Sequence, residues 1–116
     1  MKNYSKVERE EGARLGLHDK IGLTGSEISV NTLPANASVP FVHAHRQNEE
    51  VYYIVSGNGK FVIDGEDVIL NEGDFVKVSP QGKRQLFAGD DGITYICIQT
   101  KENSLEKYTA NDAIIG

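Results

Sequence analysis

Cysteine is nearly absent: Cys97 is the single one in 116 residues. No intrachain disulfide can form, which fits a reducing cytoplasm. Tryptophan is missing and proline occurs only three times. No apolar run approaches the ~18 residues that a membrane-spanning helix needs. The opening Met1-Lys2-Asn3-Tyr4-Ser5 leads into Glu8, Glu10 and Glu11 with no apolar stretch after it, so secretion is not expected. Positive charge is scarce as well. Twelve Lys and Arg stand against 17 Asp and Glu, giving a net charge of −5 and a pI near 5.1. Lys83-Arg84 is the one basic doublet. Nucleic-acid binding leans on basic surface against phosphate, so nucleic acid is not an expected partner, and neither is a membrane.

What the chain does have is glycine, twelve of them, spaced between short β-branched and aromatic runs. Residues 1–22 are polar and aperiodic, an arm that would add an edge strand. Strands are expected at 27–33, 51–55, 60–64, 68–70, 75–78, 84–88 and 93–99, because Val, Ile, Tyr and Phe favour a pleated, half-buried surface. Gly57-Asn58-Gly59 is expected to turn, Asp64-Gly65 to close a two-residue hairpin, and Gly89 to Gly92 to separate the last two strands. Ser104-Leu105-Glu106 would cap a short helical turn. Strands recurring every ~8–12 residues with turn signals between them indicate an all-β sandwich or barrel. At this length the chain makes one domain, 1–116, divided into an arm (1–26), a barrel core (27–99) and a tail (100–116).

The chemistry concentrates at His43-Ala44-His45, followed by Glu50. Histidines at i and i+2 share one face of a strand, since side chains alternate. Glu50 shares its face with Tyr52 and Ile54, whereas Glu49 points away. Two imidazoles and one carboxylate make a facial triad with open positions for water and substrate. Phe61, Ile63, Val76 and Val78 are read as core, Cys97 as a small buried hydrophobe, and His18 and Asp90-Asp91 as solvated.

Pro40-Phe41-Val42-His43-Ala44-His45, four residues, Glu50, six residues and Gly57 resembles the first signature motif of the cupin superfamily. Gly73-Asp74 followed by Ser79-Pro80-Gln81-Gly82 is similar to a degenerate second motif. The resemblance implies a double-stranded β-helix, a small jelly-roll barrel with a metal inside its open mouth. The family's second motif ends in a third histidine. Counting eleven residues from Gly73 lands on Arg84, whereas anchoring on Pro80-Gln81-Gly82 lands on Gln85. A one-residue difference reverses which side chain faces inward. Gln85 could add an amide oxygen to a metal. Arg84 carries no lone pair and would instead pair with Glu50 or hold an anionic ligand.

Two functions follow from these residues. In one, His43, His45, Glu50 and Gln85 hold a divalent Fe, Mn, Ni, Cu or Zn ion, and Arg84 and Tyr52 contact a small sugar-like or keto/enol acid. The family resemblance implies dioxygenase or isomerase chemistry, and no residue stands out as a dedicated base. In the other, the barrel binds a small ligand without metal or catalysis, with Arg84 as anchor. The resemblance also implies a homodimer, in which the arm and tail cover free sheet edges.

Overall fold

The computed structural model describes residues 2–107 and 109–116. It is built from six antiparallel strands: β1 (Arg14–Gly16), β2 (Glu27–Leu33), β3 (Asn48–Ile63), β4 (Glu66–Asn71), β5 (Phe75–Val78) and β6 (Arg84–Lys101). Two short helices, α1 (Leu17–Ile21) and α2 (Thr109–Asp112), complete it. The hydrogen-bonded order is β1-β2-β6-β3-β4, with β5 also on β3.

Two long strands organise the barrel. The first half of β3 pairs with β5 and with the last part of β6, through Glu50↔Val78 and Glu50↔Gln99. Its second half pairs with β4 and with the first part of β6, through Phe61↔Val68 and Phe61↔Leu86. β3 and β6 therefore run through both layers of a jelly-roll β-barrel and bend between them. One layer is β1-β2-β6-β3-β5. The other is β6-β3-β4, extended by single bridges from Ser38 to Phe87 and from His43 to Arg84.

The bend is where the sequence expectation needs correction. Gly57-Asn58-Gly59 does not reverse the chain but lies inside β3, and Gly89 to Gly92 lies inside β6. The register shifts at Ile54/Ser56 and again at Gly57/Gly59, the irregularity that lets a strand turn a barrel corner. Gly57 has φ 79°, and a Cβ on it would overlap the Gly92 carbonyl oxygen. A Cβ on Gly59 would overlap the Phe87 carbonyl. These glycines let two backbones approach closely at the corner. Asp64-Gly65, by contrast, does close the β3–β4 hairpin, with φ of 50° and 83°, the two left-handed residues of a type I′ turn.

The arm supplies the expected edge strand, β1 on β2. No helical turn forms at Ser104–Glu106; α2 begins further on, at Thr109. Alternation along β3 buries Glu50, Tyr52 and Ile54, and along β6 buries Arg84, Leu86 and Ala88. The apolar ones, Tyr52, Ile54, Leu86 and Ala88, join Phe61, Leu70, Val78, Ile93, Tyr95 and Cys97 in one core, with Ile63 and Val76 packed against it half-buried. Among the described residues, no helix is long and apolar enough to cross a membrane.

Candidate metal and ligand site

His43 and His45 do not sit on a regular strand, as their spacing suggested. They lie on an extended segment before β3, pinned by its backbone. His43 exchanges two hydrogen bonds with Arg84 (N–H to O 3.0 and 2.9 Å), and the His45 N–H donates to the Pro80 carbonyl at 2.8 Å. The i, i+2 logic survives because the segment is extended: both rings face the barrel interior, edge to face at 5.2 Å.

Glu50 is the hub. His43 Nε2 lies 4.0 Å from its Oε1, and His45 Nε2 lies 3.3 Å from its Oε2. One ligand atom from each of the three residues falls within 4.8 Å of the others. Tyr52 donates its hydroxyl to Oε1 at 2.6 Å, and the Cys97 thiol donates to Oε2 at 3.2 Å. Arg84 Nη1 donates to Oε1 at 2.9 Å, and Nη2 donates to the Ser79 carbonyl at 2.6 Å. A buried carboxylate needs this compensation, since taking a charge out of water unpaired is costly.

The two positions that sequence counting left open are separated by the pleat. Arg84 points inward and has no exposed surface. Gln85 points the other way, its amide Nε2 donating to the Val39 carbonyl at 2.8 Å. Gln85 is thus not among the groups gathered around Glu50, and a fourth ligand from it would require the opposite face of β6. Arg84 is inward but fully engaged at both terminal nitrogens, so its guanidinium holds Glu50 in place. It also lines the cavity, where its buried Nε has no hydrogen-bond partner.

Burial lowers the His43 pKa, outweighing the opposing pull of Glu50. That leaves a neutral imidazole, the form that can ligate a metal. Burial, with Cys97 and Glu50 adding to it, pushes the Tyr52 hydroxyl well above its usual range, and burial and Glu50 do the same for the Cys97 thiol. Both stay protonated donors to Glu50. Burial pushes Tyr95 up to about 12, with Arg14 partly opposing.

These groups line a cavity of about 310 Å³, near the lower end of small-ligand sites. Its far wall is formed by residues that sequence reasoning did not single out. Asn31, buried on β2, and Arg14 on β1 line it; Asn31 Nδ2 donates to Ser29 Oγ behind it at 2.9 Å, and Arg14 Nη1 donates to Asn31 Oδ1 at 3.2 Å. Arg14 lies in the aperiodic arm, where no motif marks it. Only the β1–β2 register brings it here.

The donor set fits a metal. His45 Nε2 is buried, faces Glu50 and has no hydrogen-bond partner, and soft-to-borderline nitrogen donors with one carboxylate suit a divalent transition ion. Arg84 fits less simply, because a fixed cation beside Glu50 raises the positive charge of the loaded site.

Comparisons with known proteins agree with this picture. A family model described as Cupin domain matches residues 29–98. The chain is similar to a solved cupin protein from Bacteroides fragilis, with 51% identity, coverage of 100% of this chain and 99% of that one, and a TM-score of 0.95. Among curated relatives it is 33% identical over 103 residues to an acireductone dioxygenase of Bacillus thuringiensis subsp. konkukian, covering 83% of this chain and 58% of the relative. The chain therefore spans less than two thirds of that relative's length. A sugar phosphate isomerase from Silicibacter pomeroyi shares the fold at 21% identity and a TM-score of 0.68, covering 77% of this chain and 60% of that one.

Proposed function

The chain belongs to the cupin family, and on that premise we propose that it is a metal-dependent enzyme of dioxygenase or isomerase type acting on a small sugar-like or keto/enol acid. The observation that carries the reading is the convergence of His43, His45 and the Glu50 carboxylate within 4.8 Å inside a barrel cavity. In it, His43, His45 and Glu50 hold one divalent Fe, Mn, Ni, Cu or Zn ion. Such an ion, when bound, supplies Lewis-acid polarisation or, as iron, dioxygen chemistry. The chain's own residues do the rest. Arg84 and Tyr52 fix the Glu50 carboxylate, Cys97 donates to its second oxygen, and Phe61 and Leu86 keep water from the inner wall. The acireductone dioxygenase relatives favour the dioxygenase side of the proposal.

Elemental analysis of the purified chain tests it. About one equivalent of a transition metal per chain is expected. No metal, even after reconstitution, would sink the reading and leave the second one: a non-catalytic ligand-binding barrel in which the 2.9 Å Arg84–Glu50 pair takes the place of the metal charge.

The proposal includes a cytoplasmic location, consistent with the buried unpaired Cys97, and the division into arm, core and tail at 1–26, 27–99 and 100–116. It also includes a homodimer. The chain exposes 8304 Å², against roughly 6,200 Å² for a compact monomer of its mass. The outer face of the β2-β6-β3-β5 part of that layer carries a row of paired neighbours, Val30, Ile96, Tyr53 and Phe75, half-buried to exposed. A second copy on that face would cover it isologously.

A further inference from the structure

We infer that Arg14 is the specificity residue of this cavity, binding an acid group at the end of the ligand remote from His43, His45 and Glu50. The inference deepens the proposed function and rests on the barrel interior being the ligand site.

On the side of β1 and β2 the cavity lining carries Arg14, Asn31 and Thr32 beside Ala13 and Leu33. Register places the inward side chains of β1 and β2 in rows with those of β6: Arg14, Asn31 and Tyr95 in one, and Gly16, Ser29 and Cys97 in the next. Asn31, which lines the cavity, is 8% exposed, and a buried amide needs its hydrogen bonds met. Asn31 is fixed from both ends. Its amide donates to Ser29 Oγ, and its carbonyl accepts from Arg14 Nη1. That leaves the other guanidinium donors of Arg14 free of any protein acceptor found among the described residues, and no carboxylate lies within ion-pair distance of it there. The nearby Glu27 accepts from the His18 N–H at Oε1, at 2.9 Å, and its Oε2 lies beside Gly16 as Arg14 Nη2 does, beyond the 4.0 Å of an ion pair.

The two arginines of the cavity thus divide the work. Arg84 is fully buried and neutralises Glu50. Arg14 is exposed at the cavity mouth, oriented by Asn31 and with no carboxylate within 4.0 Å among the described residues, and a planar guanidinium fits a carboxylate or phosphate in two parallel hydrogen bonds. Arg14 reaches the cavity from β1, whereas His43 and His45 reach it from the segment bridged to Arg84, so the two sets of groups meet a bound molecule from different elements. The ligand carries an acid group several bonds from its reacting end.

Isothermal titration of the full chain with 2-oxoglutarate and with 2-oxopentanoate, which lacks the remote carboxylate, tests this, in parallel on nickel-loaded and metal-free protein. The wild type is expected to prefer 2-oxoglutarate by about tenfold or more, the worth of one charge-assisted pair. Arg14→Gln should bring the ratio to about 1, and Arg14→Lys should leave a reduced preference, because an ammonium cannot fork. Equal affinities in the wild type, a ratio unchanged in both variants, or no binding of 2-oxoglutarate at millimolar concentration would overturn the inference. A preference that is lost in Arg14→Gln, with absolute affinities of both acids unchanged by nickel, counts against the metal reading and leaves the role of Arg14 standing.

Discussion

Glu50 accepts from Tyr52, Arg84 and Cys97 while facing two imidazoles, so single substitutions around it should separate metal binding from folding. His45→Ala is expected to abolish stoichiometric metal binding, read by elemental analysis, with an unchanged circular dichroism spectrum, because His45 is half-buried in a cavity wall and outside the packed core. Full metal content in that variant would refute the ligand assignment. Arg84→Met removes the counter-charge of a buried carboxylate and should destabilise the fold by about 3–5 kcal/mol, measured by urea unfolding. Arg84→His replaces a cation by a lone-pair donor at the position where the family motif ends in histidine. Metal affinity should rise about tenfold or more, checked by competition with a chelator.

At the scale of the element, the barrel depends on two corner glycines in β3. Gly57→Ala would force a Cβ into the Gly92 carbonyl at a left-handed backbone position, and a loss of about 2–3 kcal/mol is expected in denaturant unfolding. Gly65→Ala, in the hairpin turn with open space around it, should cost only about 1 kcal/mol. Comparable losses would mean that the corner tolerates a side chain. The strands themselves were legible from β-branched runs and alternation, and Asp64-Gly65 was legible as a hairpin. Gly57-Asn58-Gly59 was not legible as a corner. Glycine serves both a reversal and a close backbone approach, and only the facing Gly92 and Phe87 carbonyls distinguish them.

At the scale of the molecule, the radius of gyration is 15.7 Å, against about 13 Å for a compact chain of this length. Arm and tail are mostly exposed, with Ile114 and Ile115 almost wholly so. The dimer proposed for the outer sheet face is tested by light scattering at micromolar concentration. Phe75 is 72% exposed at the end of the apolar row, so Phe75→Asp should yield a folded monomer. A dimer that survives this change does not use that face.

The residues that carry the local signals settled the fold class and turned His43, His45 and Glu50 toward one cavity. Alternation alone put Glu50, Tyr52 and Ile54 on one face, and the His-Ala-His spacing put two imidazoles on one side of an extended chain, because both depend on a period of two that any β-structure obeys. The choice between Arg84 and Gln85 depended on register, which a single residue's slip reverses, so only the paired β3–β6 strands separated them. Cys97 as a donor to Glu50, and Arg14 and Asn31 as the far wall, were decided by tertiary structure alone. Long-range antiparallel pairing brings together segments that share no motif, and the sequence carries no local record of which strands become neighbours.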